Sequence, residues 1–524
     1  MIEMENLLQR FDALAEPERG SRLAFWLDRI AFGFLILMVL SAPHSIAATQ
    51  TAWLTGMLAW MIRLFIRPRP VFRLTSIDIA LWALFLWSAV SAVMSYDPAI
   101  SIDRLRGVAL FLIFYFVYYN IHNRRALYFV AFALVFSCMF AVGWTPIQKL
   151  LGRGIEVYGV SDNSPLAKAK LGNGDTLLSA DGKKIRTPED LSDQLDKNAT
   201  VKVRYYRPDF EFETEVRASD MLPGSNAAER LGITEWKRGR VARVTAFYGH
   251  YTTLSEALQL IASLTLGLFA AAFLKRRSGT RRPWRYASLV LLICVAGMCG
   301  ALLLTITRAS QLGFLVSSFC ILVLCGSRKL LFAAAIIVLP VAIGVSLYLQ
   351  QSRTTGFFDP SDPSTQYRET MWRDGYRLWT ASPRNFVFGI GMDSTKTHWR
   401  EWGMFEGGKL PIGHFHSTPV QFAVERGLPA LIIWLVLLIV YGCTLWPEIR
   451  RAICEPEFDW RRLGILLGCF GGMIGFFTGG LVHNNIGDAE VAMLFYLLMG
   501  LGIKAAHPGN NSLSDAPAPA PAAP

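Results

Sequence analysis

The chain contains 524 residues, of which 52% are hydrophobic and only 18% are charged, and its mean hydropathy is +0.34. These values exclude a set of ordinary soluble domains and indicate a helical protein that crosses a membrane several times. The net charge of +12 does not indicate nucleic-acid binding, because surplus Lys and Arg in such a protein set its topology and contact anionic lipid headgroups. We therefore expect membrane lipids, and no nucleic acid, among its partners.

Residues 1–22 are polar and charged, and they predict an amphipathic cytoplasmic segment rather than a cleavable signal peptide. A membrane-spanning helix needs about twenty mostly apolar residues. Twelve such stretches lie near residues 23–42, 46–66, 77–95, 105–121, 126–145, 250–274, 286–305, 310–326, 329–349, 428–446, 463–482 and 489–505. They group as spans one to five (23–145), spans six to nine (240–349) and spans ten to twelve (428–505). The Pro- and Ala-rich residues 506–524 predict a disordered tail.

The connections between these spans indicate the orientation, because cytoplasmic loops carry an excess of Lys and Arg. With the N-terminus inside, the inner connections include the basic RLFIRPRPVFR and KRRSGTRRPWR, whereas outer connections such as HNNIGD carry few basic residues. Both termini then face the cytoplasm, and two long polar segments, residues 146–249 and 350–427, face outward. We expect a multi-pass membrane protein, and in a bacterial cell its outer segments would face the periplasm or the cell surface, where ATP and nucleotide sugars are absent.

The first outer segment has a pattern of short strands and turns. Its runs IEVYGV, VKVRYY and FEFETEV alternate as strands do, LGNGD and SADGKK are turn sequences, and PEDLSDQL predicts a short helix. Over residues 150–220, this order of elements and the stretch SPLAKAKLGNGDTLLSADG resemble a bacterial PDZ domain, which is a small α+β fold.

The PDZ resemblance implies a groove that captures an extended peptide, often by its C-terminal carboxylate, through strand addition. Gly152, Arg153 and Gly154 would belong to the carboxylate-binding loop, and Ile155 would begin the receiving strand. The alternative is that the groove is blocked or serves only for packing. A PDZ domain also suggests an intramembrane metalloprotease, but no histidine of this chain is followed by Glu, as the zinc motif of that class requires.

Arginines beside apolar runs are the first candidate functional residues. Arg308 lies between two apolar runs near the predicted outer interface, where a cation is costly unless it meets a partner. Its alternative role is to extend its charge to the lipid headgroups. Arg243 precedes the sixth span on the same side, and it is also explained as an interfacial anchor. Arg368 lies in the second outer segment, at the start of a helical pattern that includes Trp372.

Three motifs follow one another in the second half of the chain. They are TxTRAS at residues 305–310, RxxxW followed by SPxxxxxGIG at residues 368–391, and HSTPVQFAVERG at residues 416–427. Their order and their placement around a large outer loop resemble the O-antigen ligase family and the related polysaccharide polymerases. A PDZ domain between spans five and six is not part of the usual pattern of that family.

The resemblance implies a GT-C-like ligase core of about 12 transmembrane helices that acts without a cofactor. Such an enzyme moves a glycan from an undecaprenyl-diphosphate carrier to an acceptor hydroxyl outside the inner membrane. A ligase uses lipid A-core as the acceptor, a polymerase uses another glycan, and a protein glycosylation enzyme uses a polypeptide. The residues discussed are common to all three, so the acceptor stays open.

The leaving diphosphate needs either a divalent metal or fixed cations to stabilise its growing charge. The outer segments lack carboxylate pairs at metal-ligand spacing but are rich in arginine, so we expect no metal and assign the diphosphate to Arg243, Arg308 and Arg368. Residues 350–427 would form the catalytic loop.

The acceptor hydroxyl needs a general base, and His416 is the predicted one, with His414 orienting it or contacting the substrate. Glu425 either reaches toward this site or pairs with Arg426. Gly389 and Gly391 are predicted to form a supporting turn. Two other classes of protein stay open on the sequence, namely a transporter and a scaffold without catalytic activity that binds a partner through its PDZ domain.

Overall fold

A computed structural model of the protein describes residues 2–207, 210–240, 242–278, 283–326, 363–408, 410, 413–455 and 458–507. The predicted ninth span, the beginning of the second outer segment and the C-terminal tail lie outside these residues. The chain divides into two compact units. The first unit comprises residues 1–141, 247–303 and 307–524, and the second comprises residues 142–246 and 304–306.

The described helices are numbered in chain order. They are α1 (Ile2–Ala15), α2 (Arg22–Ser41), α3 (Ile46–Arg63), α4 (Asp78–Val93), α5 (Pro98–Asp103), α6 (Leu105–Val108), α7 (Leu112–Asn120), α8 (Arg124–Leu151), α9 (Pro165–Lys168), α10 (Pro188–Lys197), α11 (Ala227–Leu231), α12 (Tyr251–Ser278), α13 (Pro283–Leu304), α14 (Arg308–Leu324), α15 (Pro363–Thr380), α16 (Pro383–Phe388), α17 (Ser394–His398), α18 (Phe405–Gly408), α19 (Thr418–Cys454), α20 (Trp460–Gly480) and α21 (Ala489–Ala506). The strands are β1 (Ile155–Tyr158), β2 (Thr176–Ala180), β3 (Lys183–Lys184), β4 (Thr200–Arg207), β5 (Phe210–Arg217) and β6 (Glu235–Arg238).

Seven of the described helices are long and apolar enough to cross a membrane, namely α2, α8, α12, α13, α19, α20 and α21. The helices α4 and α14 are apolar but shorter. These helices confirm the predicted class, a polytopic helical membrane protein with a small α+β domain. The stretch at residues 105–121 was predicted as one continuous span, but it consists of α6, a 3₁₀ turn and α7.

Close contacts at glycines hold together three helices of the first unit, and these helices position the functional site. A Cβ atom on Gly267 of α12 would overlap the backbone of Gly468 in α20, and one on Gly313 of α14 would overlap the backbone of Gly475. Membrane helices gain little from apolar burial against each other, so van der Waals contact between small residues is a main source of their packing energy. These contacts place α12 and α14 directly against α20.

The second unit is built on an antiparallel sheet in the order β5-β4-β2-β1-β6, with β3 paired to β2. Its core contains the alternating residues of the strands, such as Ile155 and Val157, together with Leu191 and Leu195 of α10. A capping box at Thr187 and Asp190 begins α10. The strands and the helix predicted from the sequence of this segment are confirmed.

Both edges of β1 are paired within the chain, which corrects the prediction of an open peptide groove. The edge predicted to receive a peptide is occupied by β6, in an antiparallel register from Ile155 with Arg238 to Tyr158 with Glu235. The loop predicted to bind a carboxylate is also engaged, because the Arg153 amide donates to the Gly239 carbonyl at 2.8 Å. The alternative prediction, that the groove is blocked, therefore holds for this edge of the sheet. The strand β6 is short, charged and exposed, so the sequence pattern contained no signal for it.

Candidate active site

Three histidine rings from two separate loops meet in the first unit. His414 and His416 lie in the loop before α19, and His483 lies in the connection between α20 and α21. Their ring centroids are separated by 4.2, 5.2 and 5.8 Å, and one nitrogen of each ring lies within 4.8 Å of the others. We call these three residues the histidine cluster. The sequence singled out His414 and His416, but not His483.

The buried residue between the two neighbouring histidines fixes their loop. The ring of Phe415 packs against Gly375 of α15, where a Cβ atom would lie 2.9 Å from the ring. The Trp372 indole donates to the Phe415 carbonyl at 2.9 Å, and the Phe415 amide donates to the Gln421 side chain at 2.9 Å. His416 has a positive φ of 48°, a backbone conformation that non-glycine residues adopt rarely. Such strain is typical of functional sites, where the surrounding structure enforces it.

The start of α19 is tied to the connection that carries His483. The hydroxyl of Thr418 lies 3.2 Å from the His483 carbonyl oxygen and 2.9 Å from Asn485 Oδ1. The Asn485 amide in turn donates to the carbonyl of Phe476 in α20 at 2.7 Å. The histidine cluster is therefore assembled by contacts between elements that are distant in sequence.

The first turns of α12 contribute two polar side chains to the same connection. Glu256 Oε1 lies 2.6 Å from His483 Nδ1, and Glu256 is only 5% exposed. Thr253, one helical turn earlier, donates from its hydroxyl to Asp488 at 2.6 Å. Glu256 was not predicted as a site residue from the sequence, although an acidic residue at the edge of an apolar run was a usable signal.

Two of the three predicted arginines lie in this unit. Arg368 follows Tyr367, whose ring packs against His416 with a centroid distance of 5.0 Å. The pKa values of His416 and His483 are lowered mainly by burial, and the Arg368 guanidinium lowers both further. Arg308 is the first residue of α14, and the Ser310 hydroxyl in the same turn is 2.8 Å from that of Ser255, which adjoins Glu256.

The third predicted arginine, Arg243, belongs to the second unit. Its side chain is buried there, and its backbone carbonyl accepts a hydrogen bond from Arg153 at 2.7 Å.

Burial keeps the imidazoles of the cluster uncharged near neutral pH. It lowers the pKa of His414 to about 3, with a contribution from His483, and it lowers the pKa of His483 to about 4, opposed by Asp488. The pKa of His416 is also lowered strongly, by burial first and then by His414, His483 and Arg368. A neutral imidazole has one nitrogen with a free lone pair, so such rings can accept a proton or a hydrogen bond.

Three close imidazoles are also a donor set that zinc accepts, and the structure allows a test of that fit. His414 Nδ1 accepts the backbone N–H of His416 at 3.2 Å, so the neutral ring carries its proton on Nε2 and has no lone pair left for a metal. The Nδ1 atom of His483 lies 2.6 Å from Glu256 Oε1. Two nitrogens then remain available, one from His416 and one from His483, which is fewer than the three protein ligands of a typical catalytic zinc site.

The predicted supporting turn packs against the start of α19. The Ile390 amide donates to the Val424 carbonyl at 2.9 Å, and the Gly391 amide donates to the Glu425 carbonyl at 3.0 Å. Glu425 Oε1 accepts the backbone N–H of Asp393 at 2.8 Å. Neither of the two roles predicted for Glu425 includes this contact, which holds the turn in place.

We expect Gly389→Ala to destabilise the protein by about 2–5 kcal/mol, because the residue combines a positive φ with a close contact. Its φ is 75° with ψ at −177°, and a Cβ atom there would overlap the backbone of Glu425. The measurement is the thermal unfolding temperature of the purified protein in detergent.

The matched control for that substitution is Gly403→Ala. Gly403 has a φ of 60°, but no atom lies within 4 Å of the position of its Cβ. It should therefore show only the conformational penalty, about 1–2 kcal/mol. Equal unfolding temperatures for the two variants would contradict the proposed contact with Glu425.

Comparison with known proteins identifies two domains in the chain. Residues 293–435 match the O-antigen ligase family, and residues 142–217 match the PDZ domain. A search of curated proteins found no match to the chain. The chain therefore contains an O-antigen ligase domain and a PDZ domain, as the sequence predicted, and the family supports a function of the glycosyltransferase type in a membrane. His483 and Glu256 lie outside both matched ranges.

Proposed function

We propose that this protein transfers a glycan from an undecaprenyl-diphosphate carrier to an acceptor hydroxyl on the periplasmic side of the bacterial inner membrane. We further propose that the acceptor is lipid A-core, which makes the protein an O-antigen ligase. The observation that carries this proposal is the meeting of His414, His416 and His483 with Arg368, beside the ends of apolar helices. Most of these residues fall within the O-antigen ligase domain.

The arginines are proposed to bind the donor through its diphosphate. A guanidinium stays charged and donates two parallel hydrogen bonds to phosphate oxygens, which suits a leaving group that gains negative charge. Arg368 is next to the histidine cluster, and Arg308 begins α14 beside the helix that carries Glu256. We assign both to the diphosphate, and Arg243 is retained as a third candidate.

His416 is proposed to act as the general base. The acceptor oxygen attacks the anomeric carbon of the glycan while its proton moves to the imidazole. The bond between the anomeric carbon and the phosphate oxygen breaks, and its electron pair leaves with the diphosphate. A single displacement of this kind inverts the anomeric configuration and forms no covalent enzyme intermediate. Burial of the ring supports this role, because it keeps His416 neutral and ready to accept a proton.

A deletion of the gene tests the proposal and separates its alternatives. Envelope extracts of the deletion strain should accumulate lipid-linked polymer together with unmodified lipid A-core, and the intact gene should restore the product. Accumulation of single repeat units would indicate a polymerase instead. If both the surface glycan and the glycosylated proteins are unchanged in the deletion strain, every glycosyltransferase proposal is contradicted and a scaffold or transporter is favoured.

Removal of divalent metals is expected to leave the activity unchanged. The charge of the diphosphate is assigned to arginines, and the lone pair of His414 is already engaged by a backbone amide. The measurement compares initial rates of glycan transfer by the purified protein with and without EDTA. A loss of activity that zinc or magnesium restores would contradict this mechanism.

A further inference from the structure

The histidine cluster contains one ring whose nitrogen lies against a carboxylate in the described part of the chain. His483 Nδ1 is 2.6 Å from Glu256 Oε1. By contrast, His414 Nδ1 accepts a backbone amide, and the His416 ring packs edge-on against Tyr367. The three rings therefore differ in their ability to carry a positive charge.

An ionised carboxylate at a buried position is costly unless it meets a hydrogen-bond donor or an opposite charge. Glu256 is 5% exposed and lies in the second turn of a membrane-spanning helix, and His483 Nδ1 lies against its Oε1 at 2.6 Å. An imidazole that donates its Nδ1 proton to a carboxylate has its free lone pair on Nε2, and the carboxylate stabilises the imidazolium that forms when Nε2 takes a proton.

The charged groups near His416 differ from those near His483. The guanidinium of Arg368 acts on both rings, and it disfavours a positive charge on either. His483 also faces Glu256 of α12 and Asp488, which comes directly before α21. A proton on His416 is therefore opposed by its surroundings, whereas a proton on His483 is favoured by Asp488 and lies on a ring that contacts Glu256.

We propose that Glu256 and His483 form a carboxylate–histidine pair that receives the proton that His416 removes from the acceptor hydroxyl. The inference rests on the proposed function and extends it to two residues outside the matched domains. In this step the N–H bond on His416 breaks, a new N–H bond forms on His483 Nε2, and Glu256 neither gains nor loses a proton. One nitrogen of each ring lies within 4.8 Å of one nitrogen of the other two rings, a separation that one water molecule bridges.

Glu256 and His483 act through His416 and are positioning residues for it. The two side chains could instead have a purely structural role and only satisfy each other's hydrogen bonds. In that case, a substitution that retains the hydrogen bond and removes the charge would leave kcat unchanged. Glu256→Gln is such a substitution, because an amide oxygen is uncharged and can accept a hydrogen bond from an imidazole N–H, as a carboxylate oxygen can.

The test measures glycan transfer by the purified full-length protein in lipid nanodiscs. The donor is undecaprenyl-diphosphate-linked O-antigen extracted from the deletion strain, and the acceptor is lipid A-core from the same strain. We expect Glu256→Gln to lower kcat by about 10²–10⁴-fold, the usual contribution of proton transfer. The KM for the donor should stay within about threefold of the wild-type value, because the pair does not bind the diphosphate.

A matched control is Glu401→Gln. Glu401 also contacts a histidine, with Oε2 3.0 Å from His398 Nδ1, but its side chain is 73% exposed. This variant should retain the wild-type kcat. Glu256→Asp restores the charge with a shorter side chain, and it should recover at least about a tenth of the lost activity if the charge matters.

The failures of the two proposals give different results. If Glu256→Gln keeps the wild-type kcat while His416→Ala is inactive, the pair is only structural and the inference is overturned. If Glu256→Asp is no better than Glu256→Gln, the charge has no role and the inference is also overturned. If the wild-type protein transfers no glycan, the proposed function itself fails.

Folding is checked by the thermal unfolding temperature of each variant. Should Glu256→Gln fail to fold, His483→Asn is the second variant, because it retains a donor toward Glu256 and removes the proton acceptor. It should show the same loss of kcat at unchanged KM, and a wild-type kcat would overturn the inference.

Discussion

Replacing His416 with alanine is expected to lower kcat for glycan transfer by about 10²–10⁴-fold, the range that a general base usually contributes. The ring is neutral near neutral pH and lies next to Arg368, so its loss removes a proton acceptor beside the predicted diphosphate site. The KM for the lipid-linked donor should change little, because the arginines bind the diphosphate. The measurement is the rate at which lipid A-core is converted by the purified variant at saturating donor.

His398→Ala is the matched control for this experiment. His398 is a histidine of the same unit that contacts Glu401 and Trp402, and it does not belong to the histidine cluster. It should retain the wild-type kcat. Full activity of a folded His416→Ala protein would rule out His416 as the base.

Replacing Arg368 with alanine is expected to reduce kcat/KM by about 10²–10³-fold, similar to the loss of one preorganised donor to a developing negative charge. Arg368→Lys should recover only part of this loss, because an ammonium group is a point charge without the paired donors of a guanidinium. The measurement is the dependence of the initial rate on the concentration of lipid-linked donor.

The control residue for the arginine experiment is on the same helix. Arg373 is exposed in α15, and its replacement by alanine should leave kcat/KM near the wild-type value. If Arg368→Lys and Arg368→Ala lose activity equally, a bidentate contact is required. If Arg368→Ala retains full activity, the residue does not bind the diphosphate.

Much of the fold was predictable because the signals are local. Hydropathy over about twenty residues identifies a membrane helix, and the strands of the PDZ domain follow from alternation within short runs. The predicted strands at Ile155, Val201 and Phe212 and the helix at Pro188 all occur in the structure. The closeness of His414 and His416 also follows from their adjacency in sequence.

Other features depend on contacts that no local pattern encodes. The strand β6 pairs with β1 although its residues are charged and exposed, and it fills the edge where a peptide was expected. Glu425 was predicted to reach the site or to pair with Arg426, yet it accepts the Asp393 amide. The continuous span predicted at residues 105–121 is interrupted by a 3₁₀ turn.

The amino-acid sequence by itself determined the membrane class, the presence of the two domains and the histidines before α19, since each is encoded within one continuous stretch. The tertiary structure alone decided that His483 joins them and that Glu256 lies against it. These two residues come from different helical segments, and close glycine contacts between α12 and α20 bring those segments together. Packing between backbones is a property of the folded chain, so the complete cluster becomes visible only after the helices are assembled.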